Sequence, residues 1–341
     1  SIAILSGSAV EAKRQTSKWS FGIEMADPCT TGQPMLEVQV NRIWDDRCNS
    51  MFVHWKDVET SRGVYNWAHL DQIVAQSSGK EIIYTIGDVP GWANGNGLKG
   101  TPPTNFQDAY DFATAIATRY RGRIAEYELW NEFNMSDFWT GSIKDMVTMA
   151  SGLSRAIKAA DPNALTLMPS STASPTALNS YLSACAYSGS KDCFADINNV
   201  HGYMYNMELY PNDVVPEEIW NLATVNKGLF AQYGLGSKPF YVDEGGIIAG
   251  RIPDTRNQQA FASIWQLLLL SGGVSTVIWH SYDDPFNSVV PLWSGDKCDN
   301  GKHCLNEVGK AYGRMNRWLR DATFVTPILR TPNPNQIRNP Y

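Results

Sequence analysis

Residues 127–134 read Tyr127-Glu128-Leu129-Trp130-Asn131-Glu132-Phe133-Asn134 and continue an apolar run that begins at Ile124. Side chains of an extended chain alternate, so Glu126, Glu128, Trp130 and Glu132 share one face and Ala125, Tyr127 and Leu129 the other. The apolar face suits packing against helices. The acidic face then points into an enclosed interior, where each carboxyl needs a partner. A closed barrel provides such an interior, with its site at the carboxyl ends of the strands. Glu132 is the last residue of that face and the best placed for catalysis. Taken alone, it reads as readily as a helix N-terminal acid or a solvated loop residue.

Seven further stretches have strand character: Phe21–Glu24, Val38–Trp44, Glu81–Gly87, Ala164–Pro169, Ile197–Tyr203, Pro239–Glu244 and Val274–His280. Between them run helix-period stripes, such as Phe112, Ile116 and Tyr120, or Met146, Val147, Ala150, Leu153 and Ile157. Eight strands alternating with helices predict an α/β chain folded as a (β/α)8 TIM barrel. An open doubly wound sheet is the alternative, and the strand count favours the barrel. A single domain is expected over residues 1–325, with a short N-terminal extension. Residues 326–341, rich in Pro and Asn, read as a C-terminal tail.

The seventh strand ends Phe240-Tyr241-Val242-Asp243-Glu244-Gly245-Gly246. Glu244 stands at a strand end before two glycines that permit a sharp turn, and alternation sends Asp243 the opposite way. Carboxylates at strand ends four and seven can face each other across a barrel mouth. Glycosidic bond cleavage needs that arrangement.

Three stretches sharpen this reading: Trp130-Asn131-Glu132 with the later Glu244; Val53–Glu59 with Gly63–Trp67; and Tyr84-Thr85-Ile86-Gly87-Asp88-Val89-Pro90-Gly91-Trp92-Ala93. Together they resemble the clan A glycoside hydrolases, and most closely glycoside hydrolase family 39 and its relatives, over roughly residues 21–319. The resemblance implies a retaining hydrolase with Glu132 as general acid/base and Glu244 as nucleophile. It implies that Asn131 hydrogen-bonds a sugar 2-hydroxyl and that Arg42 keeps Glu244 ionised; Arg42 reads equally as an ion-pair partner of Glu128 or Glu126. His201 and Tyr203 match positions that hydrogen-bond the catalytic pair, and Trp279 matches a tryptophan at the floor of the sugar site. Trp44, Asp45 and Trp92 are further cleft candidates. The chain departs from the xylosidase branch in lacking a His-Gly after strand two and an added β-rich domain, which leaves an exo-acting β-xylosidase as an alternative only.

The 341 residues are 43% hydrophobic and 18% charged, too apolar for a disordered chain, with a net charge of -6. No Lys/Arg run marks a nucleic-acid or anionic-membrane face. The longest apolar stretch, Ala260–Leu270, is far short of the roughly 20 residues of a membrane span. Twelve Trp, fifteen Tyr and twelve Phe nominate a carbohydrate partner, since aromatic faces suit sugar rings as well as a core. Six cysteines allow fifteen pairings; the nearest-neighbour one, Cys29–Cys48, Cys185–Cys193 and Cys298–Cys304, is expected, and with it an oxidising compartment, against six free buried thiols in a cytosolic enzyme. The first residue, Ser1, is what a processed secreted protein would present. The five histidines lack metal-ligand spacing, so neither metal nor cofactor is expected. Gly95, Gly97 and Gly100 spell a G-x-G-x-x-G, but Thr101-Pro102-Pro103 follows where a helix must open. Asn134-Met135-Ser136 is a glycosylation sequon too near Glu132 to be used. The expectation is a secreted, cofactor-free, monomeric retaining hydrolase of a plant or microbial polysaccharide, with endo action favoured. A non-catalytic carbohydrate-binding barrel is its rival.

Overall fold

The computed structural model describes residues 19–32, 34–172, 174–203, 216–284, 286–297 and 303–322. Eight parallel strands form its centre: β1 (Ser20–Glu24), β2 (Val40–Ile43), β3 (Glu81–Thr85), β4 (Glu126–Glu128), β5 (Leu165–Leu167), β6 (Asn198–Tyr203), β7 (Phe240–Gly246) and β8 (Thr276–Trp279). They pair in the order β6-β7-β8-β1-β2-β3-β4-β5, and a parallel bridge between Leu167 and Ile197 joins β5 to β6. The sheet is a nearly closed (β/α)8 barrel.

Around it lie α1 (Pro28–Thr31), α2 (Ala68–Gln76), α3 (Phe106–Arg119), α4 (Ile143–Ala160), α5 (Pro175–Tyr187), α6 (Glu217–Gln232), α7 (Thr255–Ser271) and α8 (Glu307–Leu319). Side chains that accept the first free N–H groups start several of them: Asn105 for α3, Asp254 for α7, and a reciprocal Ser142/Asp145 box for α4. Among the described residues no helix is long and apolar enough to cross a membrane.

Strand alternation divides the core in two. Val40, Ile83, Leu167, Ile197, Tyr241 and Ile278 fill the barrel, while Phe21, Ile23, Tyr84, Tyr127, Val200 and Val277 join the larger layer beneath the helices. The inward apolar ring supports the site from below. Above it the inward positions turn polar, with Glu24, Arg42, Glu128, His201 and Asp243 all fully buried.

Two local departures from alternation shape the mouth. In β7 the pairing runs Val200 to Val242 and then Gly202 to Gly245, so Asp243 and Glu244 together oppose His201. That is a β-bulge, and it brings two successive carboxyls to one face. A Cβ at Gly245 would lie 2.5 Å from the Gly202 carbonyl oxygen, so glycine is required there. The expectation that Asp243 points away from Glu244 is corrected accordingly.

In β4, strand pairing ends at Glu128. The chain then leaves the period of two: Trp130 turns out against Trp139, while Asn131 and Glu132 both enter the mouth. Glu132 has φ 37°, the left-handed region that makes this sharp turn.

Cys29 and Cys48 form the expected disulfide, tying α1 to the loop after β2. Cys185 and Cys193 do not: they are buried free thiols, hydrogen-bonded to each other, and that contact with burial pushes the Cys185 thiol up. Cys304 is disulfide-bonded, and Cys298, its expected partner, lies outside the described residues. The N-terminal extension to residue 18 and the tail 326–341 lie outside them too.

Candidate active site

Arg42, fully buried on β2, is the hub of the mouth. Its Nη1 donates to Glu24 and to Glu244, each at 2.7 Å, and its Nη2 to Glu128 and to the Asn131 Oδ1, each at 2.8 Å. Asp243 lies 3.6 Å from Nε. Arg42 thus contacts both Glu128 and Glu244. A Glu126 oxygen accepts from the Tyr241 hydroxyl lower in the barrel. The bond from Arg42 fixes the Asn131 amide with its oxygen inward and its NH2 turned the other way.

Two β6 side chains connect the glutamates. His201 Nδ1 lies 2.8 Å from Glu132 Oε1 and 3.4 Å from Glu244 Oε1. The Tyr203 hydroxyl donates to Glu244 Oε1 at 2.6 Å. One oxygen each of Glu132 and Glu244 and the His201 nitrogen all lie within 4.8 Å of one another. The Ser170 hydroxyl accepts the Glu132 backbone N–H, and Thr85 donates to Glu128 at 2.5 Å.

The charges sort themselves by neighbour. Burial alone would raise Glu244, but the His201, Arg42 and His280 cations and the Tyr203 hydroxyl hold its carboxyl below the ordinary value. Glu128, likewise opposed by burial, is drawn down to about 2 by Arg42 and His201. Burial opposes protonation of His201, yet Glu244, Glu128 and Glu132 push it well above the usual imidazole range. Asp243 moves the other way: burial and then Glu128 raise it well above an ordinary aspartate, against the pull of Arg42 and His201.

The end of β8 corrects one assignment. Trp279 is fully buried beneath the helices, edge-on to Trp265 and Tyr312, with its indole N–H on the Val290 carbonyl. Alternation from the inward Ile278 sends Trp279 outward and His280 inward. His280 Nδ1 lies 3.2 Å from Glu24, and its ring is 6.3 Å from that of Tyr203. Burial lowers it, but Glu24 and Glu244 more than compensate and raise it to about 10.

Trp44 is near the hub but only 3% exposed, between His54 and Phe138, with Gly87 leaving room for its ring. Asp45 is at the rim, 39% exposed, its backbone N–H on Glu24. Trp92 is away from the cluster: its indole N–H donates to the Glu59 carbonyl, its ring meets Trp55 edge-on, and Arg62 lies over it. The Asn134 amide is half-buried and bonded at both ends to Thr172.

Among the described residues three groups could hold a metal ion by compactness alone: Glu24/Asp45/His280, Glu128/His201/Asp243 and Glu132/His201/Glu244. Each contains a carboxylate already salt-bridged to Arg42, with which a cation would have to compete.

No protein-family model matches the sequence. Solved structures are similar in fold. A glucosidase from Croceicoccus marinus shares 16% identity, over 89% of this chain and 68% of its own, with a TM-score of 0.66. A family 39 glycoside hydrolase from Bacteroides cellulosilyticus WH2 shares 18%, over 90% of this chain and 65% of its own, with a TM-score of 0.64. A GH5_18 enzyme from Streptomyces cattleya, solved with Manb1-4GlcNAc, shares 13% over 89% and 82%, with a TM-score of 0.67. What this chain shares with these glycosidases is the (β/α)8 barrel fold. The chain spans about two thirds of the length of the first two relatives.

Proposed function

We propose that this chain is a secreted glycoside hydrolase that cleaves a plant or microbial polysaccharide with retention of anomeric configuration. One observation carries the reading: two glutamates face each other across the barrel mouth, an oxygen of one within 4.8 Å of an oxygen of the other. Retaining enzymes set their carboxyls about 5–5.5 Å apart for direct attack, whereas inverting ones leave ~6.5–9.5 Å for a water. The short gap supports retention.

Glu132 in its acid form protonates the departing glycosidic oxygen while Glu244, kept ionised by Arg42 and His201, attacks the anomeric carbon. The leaving sugar departs, water enters, and Glu132 as base takes its proton while the hydroxide oxygen displaces Glu244. The Asn131 NH2 is the donor to the 2-hydroxyl. The disulfide supports secretion, and similar folds among glycosidases support a sugar substrate. The aromatic-rich sequence, with twelve Trp, fifteen Tyr and twelve Phe, supports several sugar subsites and so attack within a chain.

Turnover of aryl β-glycosides and β-1,4-linked polysaccharides, followed by NMR of the first-formed anomer, tests this. A β product from a β substrate is expected. An α product would overturn retention. Absence of turnover with retained sugar binding would establish the non-catalytic barrel.

A further inference from the structure

Phe286, in the loop after β8, is 51% exposed. It belongs to a run of rings that leads into the mouth. Phe286 stacks on Phe52 with centroids 6.4 Å apart and planes 17° from parallel. Phe52 stacks on His54 at 5.1 Å, and His54 meets Trp44 at 4.5 Å. Trp44 stands two residues beyond Arg42. The run thus connects the exposed ring to the catalytic cluster through the loops that follow β8 and β2.

Two cations flank it. The Arg47 guanidinium lies 4.7 Å from the Phe286 centroid, and Lys56 Nζ lies 5.8 Å from that of Phe52. Arg47 makes no salt bridge among the described residues. Each cation lies over one ring face, which holds the phenyl groups in place and sets N–H donors beside them. A sugar ring has the complementary surface, with apolar C–H faces and a perimeter of hydroxyls.

We propose that Phe286 and Phe52, with Arg47, form a distal sugar subsite for a residue of the substrate chain remote from the cleaved bond. The topology fixes its side. The leaving group lies towards Glu132 at β4, and β8 stands opposite β4 in the eight-strand order. The subsite therefore lies on the glycone side and takes the non-reducing portion of the chain. This rests on the hydrolase reading above and adds to it a requirement for length.

The test compares wild type, Phe286→Ala and Phe286→Trp on 4-nitrophenyl β-monoglycosides and on cellohexaose, xylohexaose and mannohexaose. Calorimetric titration with the three hexasaccharides runs beside the kinetics. For whichever hexasaccharide is cleaved, Phe286→Ala should raise KM by about tenfold, a loss of roughly 1.4 kcal/mol of binding. Monoglycoside turnover should stay unchanged, and Phe286→Trp should restore hexasaccharide affinity. Equal KM for wild type and Phe286→Ala on the hexasaccharide overturns the subsite, as does an equal loss on the monoglycosides. A wild-type chain that cleaves nothing refutes the hydrolase reading, and the titrations still decide the subsite. Hexasaccharide binding that Phe286→Ala weakens supports it, and no binding, or binding that the substitution leaves alone, overturns it.

Discussion

Arg42 Nη1 lies 2.7 Å from Glu244 Oε2 in a place closed to solvent. Burial favours the uncharged carboxyl, so this guanidinium works directly against it. Because the folded value of Glu244 is depressed, the ionised form is present above that value and is lost as the pH falls through it.

Replacing Arg42 by Met should therefore move the acidic limb of kcat/KM to higher pH, since burial of Glu244 is then opposed by fewer cations. Arg42→Lys should move it less. Arg42→Met also leaves Glu128 buried without its main partner and Glu24 with His280 alone, so stability should fall by about 3–5 kcal/mol. A pH profile from folded protein checks this. An acidic limb unmoved in Arg42→Met would mean that Glu244 does not set it.

The two neighbours at the end of β8 should behave oppositely. Trp279→Ala empties a core site and should cost about 3–5 kcal/mol of stability, whatever it does to turnover. His280→Gln should keep the fold and lower kcat/KM, because the side chain pairs with Glu24 beside Tyr203. Its folded value is raised to about 10 from an ordinary 6.5. Its stabilisation is thus fully present below pH 6.5 and lost as the pH rises towards 10. Denaturation midpoints across that window should fall less steeply in His280→Gln than in wild type. Parallel slopes would show His280 to be uncharged.

What the sequence made legible follows from alternation. Polar residues inside apolar strands, namely Arg42, Glu128, His201 and Tyr203, must find one another in a closed barrel, and they do. Glu132 and Glu244 stood out as strand-end acids. Asp243 was lost because a bulge breaks the period of two. Its trace in sequence is small: Gly202 opposite Gly245, where two backbones touch. His280 was missed for another reason. Alternation from Ile278 puts it inside, but the resemblance drew attention to the tryptophan beside it. Glu24 went unnoticed because a single acid at the end of Phe21–Glu24 has no meaning until Arg42 and His280 are seen on either side.

The cysteines give a chemical check. In unreduced, unfolded protein, alkylation should modify Cys185 and Cys193, while peptide mapping recovers the Cys29–Cys48 crosslink. The native protein should protect both thiols, which are buried. A recovered Cys185–Cys193 crosslink would show that the pair closes in the oxidised protein.

The roles of the two glutamates are separable by the step each serves. Glu132→Ala and Glu244→Ala should both lose activity severely, by about 10²–10⁴ for the acid/base, so rate alone assigns neither. Without Glu132, a substrate whose leaving group needs no proton still glycosylates Glu244. No base then activates water, and the covalent intermediate accumulates. Azide needs no deprotonation and fits the space a carboxyl has left, so it should release the sugar as a glycosyl azide of the starting configuration. Without Glu244 there is no nucleophile, and azide can only attack from the emptied side, giving the opposite anomer. NMR of the two azides decides. Exchanged products would exchange the roles. A loss below about tenfold in kcat in both variants, roughly 1.4 kcal/mol of barrier, would mean that neither residue is catalytic.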